Sequence, residues 1–530
     1  MRDRLSAFTM AGLLRRPWGA LFLVAVMAVA GGILLTSMIP HGIGLSSDSL
    51  LYVTGAESLR SGKGWTQPSG EGTDDPITHF PPIYSLLLAT VAGRGGEVLA
   101  AASAVAVLLF AAVILAVGWA LIFVQRDEIA GVIAAIIVAA SPILASIFTW
   151  AMSEPLFLLL GLVCLALLVV GIDGNRTGWV VLAGLAAGLA YLTRYIGMAL
   201  ILTGGLVLIL KAGWSRRQRV MAIVAFTVPA LLLGLAWSYR NFMLTGTATN
   251  RTLTWHPLSA TKWKAPFGLL WSWLLPSEFD YTALLVTSAV IAGGVLIGVI
   301  LLPRRWPGVR RAVDRWRHSP SLVVVHAAYA AVYAGILAFS LMFVDAATPV
   351  DNRIAAPIYL SFVIVLASAW AIGYRRWPQG WARGLLLLGA ISLVVSYVLR
   401  TSELERDIRV DGQGFASKDW QASAVIAAAK ELPSDTLVYT DNKEVFTFFT
   451  GIGAFGLPPE RDGVTGLVNP ETPVILEQVL ERLAESGGAV VLFGGRREGP
   501  DRAYLTPLLS NLELLVSVPD GLIYTASGRD

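Results

Sequence analysis

The sequence is short of what a water-facing or metal-clustered protein needs. One cysteine, Cys164, stands alone in an apolar run, so the chain has no intramolecular disulfide, no thiolate metal site and no clear redox centre. Charged residues make up 14% of the 530 positions, against roughly 25% in soluble domains, and a chain so poor in charge cannot cover a surface that faces water throughout. It contains no internal repeat, no low-complexity tract, no phosphate-binding loop and no dinucleotide fingerprint. The net charge is only +4, and the basic residues sit in short clusters between apolar runs, a pattern of membrane topology that does not imply nucleic acid as a partner.

What is there is apolar: 55% hydrophobic residues and a mean hydropathy of +0.66. A bilayer core of about 30 Å takes about 20 mostly apolar residues per helix. That window predicts about eleven spans, near 18–40, 97–124, 129–147, 152–171, 178–194, 195–211, 219–240, 281–302, 320–344, 353–373 and 382–400. The first follows Arg15 and Arg16, is too long for a signal-peptide core and ends in no small-residue cleavage site, so it is expected to stay as an anchor. With the N-terminus cytoplasmic, about nineteen Lys and Arg fall in inside connections and about nine at most outside, which obeys the positive-inside rule. An odd span count then puts the C-terminus outside. The expected location is the bacterial inner (plasma) membrane.

Two outer connections are long, 41–82 and 241–280. The second carries Trp255, Trp263, Trp271 and Trp273 with Lys262 and Lys264, a mixture suited to the headgroup layer, so both are expected to form short interfacial helices. Residues 83–95 are too short to span and fit the same description. The sequence changes character at about Thr401, where helical stretches (420–431, 474–486, 503–510) alternate with β-rich runs at 436–440, 489–493 and 522–526. The expected fold class is therefore a polytopic α-helical membrane protein: a transmembrane module over 1–400 and a small extracytoplasmic α/β domain over 401–530.

An ionisable group at membrane depth costs about 2.5–3.5 kcal/mol on insertion scales, so each one beside a span is a functional candidate. Asp48 follows the first span in a helix that starts at Ser46, Ser47 and Asp48 and ends at Gly62 and Gly64. The bland alternative is a helix cap. The same loop closes at residues 74–85, where Pro81 and Pro82 hold His79 and Tyr84 near the membrane surface, and where Asp74 and Asp75 form a weaker candidate for a metal-binding pair. Glu154 precedes Pro155 at the start of a span, favoured there by the helix dipole if nothing else. Arg194 and Arg353 lie at helix ends on the same expected face, and guanidinium forks suit phosphate, although either could snorkel to headgroups instead.

Taken in order, these features resemble a family. Asp48 with Tyr52, then Ala56, Leu59 and Gly62, then the H-F-P-P-I-Y run 79–84, with Ser-Glu-Pro at 153–155, 192–200 and 352–359, resembles the membrane glycosyltransferases of the GT-C fold. The nearest branch in style is the bacterial one related to protein O-mannosyltransferases and to the lipid A aminoarabinose transferase. The resemblance covers roughly residues 20–400, with a looser match in the tail. It implies inverting transfer of a sugar from a polyprenyl-phosphate donor to a glycan, lipid or protein acceptor on the outer face. It further implies Asp48 as general base, Arg194 and Arg353 as phosphate ligands, and Tyr52, His79, Tyr84 and Lys262 as further substrate contacts. A divalent cation is expected only if Asp48 and Glu154 share one.

Two rival readings use the same residues. A transporter or flippase of lipid-linked sugars asks for inverted repeats, broken helices and charge at mid-membrane, whereas here charge gathers at one face. A non-catalytic envelope-assembly subunit would use the tail to bind glycan and the helices as an anchor.

Overall fold

The computed structural model describes residues 17–70, 73–248, 253–274, 321–376, 380–461, 467–494 and 502–526. Helix α1 (Pro17–Met38) leads through α2 (Ser47–Arg60) and a hairpin of β1 (Thr66–Pro68) and β2 (Asp74–Pro76) to the short α3 (Ile83–Ala92). Next comes α4 (Val98–Trp119), which ends in a π-helical turn at Ala120–Val124. After it, α5 (Glu128–Ala140) and α6 (Pro142–Phe148) form a bent pair ahead of α7 (Glu154–Asp173). Helices α8 (Thr177–Tyr191) and α9 (Met198–Leu210) are joined through a 3-10 turn, Tyr195–Gly197, and α10 (Arg216–Thr245) follows. Then come α11 (Ala260–Ser272), α12 (Leu322–Phe343), α13 (Asn352–Arg376) and α14 (Gly380–Asp411).

Seven described helices, α1, α4 with its π turn, α7, α10, α12, α13 and α14, are long and apolar enough to cross a membrane, or up to 8 spans if the bent pair counts as one. The expectation of about eleven spans is met in that part. The runs expected at 178–194 and 195–211 are α8 and α9, helices of 15 and 13 residues. At about 1.5 Å per residue they fall short of a bilayer core of about 30 Å. The run at 281–302 lies outside the described residues.

The α5–α6 bend of 58° has a local cause. Ser141 precedes Pro142 and is extended at ψ 115, as a residue before proline tends to be. Its hydroxyl then caps α6, accepting from Leu144 N at 3.2 Å. The Ala140 carbonyl left at the break accepts from Thr401 Oγ1 of α14 at 2.8 Å. Helices α8 and α10 approach closely because α8 offers two glycines four residues apart. A Cβ at Gly184 would lie 2.1 Å from the Phe226 carbonyl oxygen and one at Gly188 3.0 Å from Ala230 Cα, so only a small residue lets the backbones meet.

The tail follows as α15 (Lys418–Gln421), α16 (Ala424–Ala429), β3 (Val438–Thr440), α17 (Lys443–Thr450), β4 (Phe455–Gly456), α18 (Thr472–Ser486), β5 (Gly488–Phe493), α19 (Thr506–Leu509), β6 (Glu513–Val518) and β7 (Gly521–Ala526). The five strands form one mixed sheet in the order β4-β3-β5-β7-β6, with β3 parallel to β4 and β5, and β7 antiparallel to β5 and β6. Alternation along β5 explains the layers. Val490 and Leu492 pack with Leu476, Val479 and Leu483 of α18, whereas Ala489, Val491 and Phe493 face Val425, Ile426, Val445 and Phe446 of α16 and α17. That second face is continuous with the apolar core of the membrane helices. Helix α14 runs unbroken through Thr401, so the change in sequence character there falls within a helix.

Candidate active site

The first side chain of the site is placed by a serine. Ser46 caps α2, its hydroxyl accepting from Ser49 N at 3.3 Å, so Asp48 is not the cap and its carboxylate is available. Helix α2 then stops at Gly62 and Gly64, whose φ values of 78° and 85° suit glycine. A parallel bridge fixes the surroundings. Gly44 pairs with Trp150, donating to the Thr149 carbonyl at 2.8 Å and accepting from Ala151 N at 2.9 Å. The bend between α5 and α6 thus delivers the connection before α7 directly beneath the loop before α2.

Four charged side chains meet there in alternating sign. Asp48 Oδ2 accepts from Arg353 Nη1 at 3.2 Å; Arg353 Nε lies 3.5 Å from Glu154 Oε1; Arg194 Nη1 lies 2.6 Å from the same oxygen. They come from the starts of α2, α13 and α7 and from the extended linker after α8. The four formal charges cancel. Burial differs along the chain: the Asp48 and Arg353 side chains are 39% and 31% exposed, Glu154 4% and Arg194 19%. Asp48 is therefore the accessible end, and Glu154, between the two arginines, is sealed.

A second layer supports the first. Tyr52, one turn beyond Asp48, shares a 3.0 Å hydrogen bond with Ser153 Oγ, and Arg194 Nη1 donates to the same hydroxyl at 3.4 Å. The Tyr52 ring meets Tyr84 edge-on at 5.2 Å and Phe80 at 5.2 Å, while Ser85 Oγ donates to the Tyr52 carbonyl at 2.7 Å. Burial drives the Tyr52 phenol far above its ordinary range, with Arg194 opposing and Glu154 adding to the rise. Tyr84 is raised by burial in the same way, so both phenols stay neutral.

The structure sorts the expected site residues. Asp48, Tyr52, Glu154, Arg194 and Arg353 converge, and Tyr84 backs them. The His79 ring stands edge-on to Phe80 at 4.8 Å and so flanks this layer through that phenyl group. Lys262 sits on α11 and donates to the Thr348 carbonyl at 3.2 Å. Asp74 and Asp75 are exposed in β2, with Asp74 paired to Lys63 at 3.2 Å. Two partners were not singled out from the sequence: Arg240 and Asn241. Arg240 ties the loop between α2 and α3 to α10 by donating to the Ile77 carbonyl at 2.8 Å, and the buried Asn241 donates to the Thr78 carbonyl at 3.3 Å. Their signal was a polar Arg-Asn pair at the end of an apolar helix.

A cation shared by Asp48 and Glu154 does not fit this arrangement. The Arg353 guanidinium lies between the two carboxylates, and Arg194 already neutralises the buried one. Among the described residues no group of three or more His, Cys, Asp or Glu could hold a metal ion.

No family model and no curated protein sequence matches this chain. Solved structures do. ArnT from Cupriavidus metallidurans bound to undecaprenyl phosphate aligns over 96% of this chain and 99% of its own, at 15% identity and a TM-score of 0.56. The Archaeoglobus fulgidus oligosaccharyltransferase, in its complex with Zn and sulfate, aligns over 95% of this chain and 73% of its own, at 14% identity and a TM-score of 0.56. The arabinofuranosyltransferase AftD from Mycobacteria aligns over 96% of this chain and 40% of its own, at 16% identity and a TM-score of 0.54. The chain has the GT-C fold. All three neighbours are GT-C glycosyltransferases, and the match to ArnT runs through the tail sheet as well as the helices. Within this GT-C fold the acid of the first loop, Asp48, stands at the accessible end of the charge chain.

Proposed function

We propose that the chain is an inverting glycosyltransferase that moves a sugar from a polyprenyl-phosphate donor to an acceptor hydroxyl on the extracytoplasmic face of the bacterial inner membrane, the acceptor being a glycan, lipid or protein of the envelope. The observation that carries this reading is the pairing of Asp48, the most accessible carboxylate of the site, with Arg353. It supports a reading in which a base and a phosphate-binding cation act at one point. The likeness to ArnT bound to undecaprenyl phosphate supports a donor of that class.

In the reaction, Asp48 takes the proton of the acceptor hydroxyl as its oxygen bonds to the anomeric carbon. The bond from that carbon to the phosphate oxygen breaks, and the lipid phosphate leaves with the electron pair. A phosphate needs no protonation to leave, so one carboxylate suffices, unlike the pair used in glycoside hydrolysis. A positioned base contributes typically about 10²–10⁴ in rate.

The cancelled charge gives the site a switch. A donor phosphate enters a neutral cluster, and its charge is opposed only when Arg353 exchanges the Asp48 carboxylate for the phosphate. Donor binding thereby frees Asp48 to act as base. Arg194, held by Glu154, remains a fixed positive group toward which charge develops on the leaving phosphate. Incubation of the purified protein with a panel of polyprenyl-phosphate sugars and envelope acceptors, followed by mass spectrometry, tests the reading. Consumption of one donor with release of polyprenyl phosphate supports it, and an unchanged panel under conditions that retain lipid binding contradicts it.

A further inference from the structure

The segment that follows the last membrane helix touches the loop that carries Asp48. Helix α14 ends at Gly412, which adopts φ +75 and donates to the Ile408 carbonyl at 2.9 Å. The chain then runs parallel to the residues just before α2. Leu45 N donates to the Gln413 carbonyl at 3.4 Å, Phe415 N donates to the Leu45 carbonyl at 2.8 Å, and Leu45 pairs with Gly414. Since Gly44 already pairs with Trp150, three segments lie side by side: the strap at 413–415, the approach to Asp48, and the approach to Glu154.

The central strap residue has to be glycine on two counts. Its φ of +57 belongs to the left-handed region, and a Cβ there would lie 2.1 Å from the Leu45 carbonyl oxygen and 2.6 Å from the Trp150 ring. Any side chain at 414 therefore pushes on the backbones that position both carboxylates. The tail grips the same loop twice more. Lys443, Glu444 and Thr447 of α17 lie across a cleft from Leu50, Leu51 and Thr54 of α2. Gly453 packs on the Ser69 carbonyl, and Phe455 covers Gly70.

We propose that Gly414 is a positioning residue of the transfer reaction, setting the distance of Asp48 from Arg353 and Glu154 through Leu45, and that the tail acts on the chemistry through this strap. The inference rests on the transferase reading given above. Misplacement of a reacting group by about 1 Å can cost on the order of 10²-fold in rate, while the donor lipid is held by other groups.

The test compares Gly414→Ala with Gly451→Ala, which takes the same left-handed strain (φ +73) at a position where a Cβ meets nothing within 4 Å. Gly414→Ala is expected to lower kcat by about tenfold to a hundredfold with the donor Kd changed by less than about twofold, and to speed amide exchange in the first turn of α2. Gly451→Ala is expected to match the wild type in all three. Equal kcat in the two variants, or a donor Kd that rises in step with the loss of kcat, overturns the proposal. If Gly414→Ala does not fold, exchange on the wild type decides: protection of Leu45 and Phe415 must be lost together with that of α2, and independent opening refutes the strap. A wild type that transfers no sugar refutes the transferase reading alone, because faster exchange in α2 of Gly414→Ala still reports the strap and unchanged exchange still overturns it.

Discussion

Replacing Glu154 by Gln keeps the shape of the side chain and one acceptor oxygen but removes the charge that holds Arg194. At 2.6 Å and an effective dielectric near 20, the attraction is on the order of 6 kcal/mol. Desolvating a carboxylate that is 4% exposed opposes this by several kcal/mol, which leaves a net coupling of about 2 kcal/mol. Removing one partner of a buried pair costs more than the pair contributes, about 3–5 kcal/mol, because the other charge is stranded. The lower end applies here, since Ser153 still accepts from Arg194 and the Arg194 side chain is 19% exposed. Unfolding in detergent of the wild type, Glu154→Gln, Arg194→Gln and the double variant forms a cycle. Each single change is expected to cost about 3 kcal/mol and the double change about 2 kcal/mol less than their sum. Additivity within about 0.5 kcal/mol would show that the two side chains do not hold each other, and the fixed positive group assigned to Arg194 would be lost with it.

Arg353→Ala should raise the donor KM by about tenfold or more, because a charged hydrogen bond contributes about 1.5–3 kcal/mol; Arg353→Lys should recover part of that loss, and a donor KM unchanged in steady-state assays would remove Arg353 from the phosphate site. At the other end of the bundle, Asp127 caps α5 and is held by Arg375, which donates to Oδ1 at 2.9 Å and also to Oδ2. Burial pushes the Asp127 carboxyl upward, but the Arg375 and Ala130 hydrogen bonds outweigh it and hold the carboxyl below its usual range. A depressed carboxylate stabilises the fold above its unfolded value, near 4, and the contribution disappears as pH falls through the lower folded value. Asp127→Asn should therefore unfold more easily than the wild type at neutral pH, with the two midpoints converging below about pH 4; a constant difference across that range contradicts the pairing.

The membrane character and the acid of the first loop were legible in the sequence because both rest on local pattern: apolar windows, Ser-rich helix starts, and ionisable residues beside spans. Shared roles were harder to read. Arg194, Glu154 and Arg353 were each visible as charges at helix ends, but their alternation with Asp48 depends on the α5–α6 bend and on contacts between residues more than 150 positions apart. A carboxylate pair read as a possible cation site is divided by a guanidinium that only the packing of α13 puts there. Helices α8 and α9 looked like spans because their apolar runs are nearly continuous, and the Arg194 linker that breaks them is short. In the tail, β3, β5 and β7 coincide with the expected β-rich runs. β6 was missed because its alternate positions stay exposed at the sheet edge, and β4 because two residues carry no period.

In the proposed reaction Asp48 removes the acceptor proton while Arg353 takes the phosphate. Single-turnover release of polyprenyl phosphate by the wild type and by Asp48→Asn, with donor binding measured on the same preparations, addresses it directly. The chemical step is expected to slow by about 10²–10⁴, with donor affinity retained or increased because no carboxylate competes for Arg353. Equal single-turnover rates in the two proteins would contradict it.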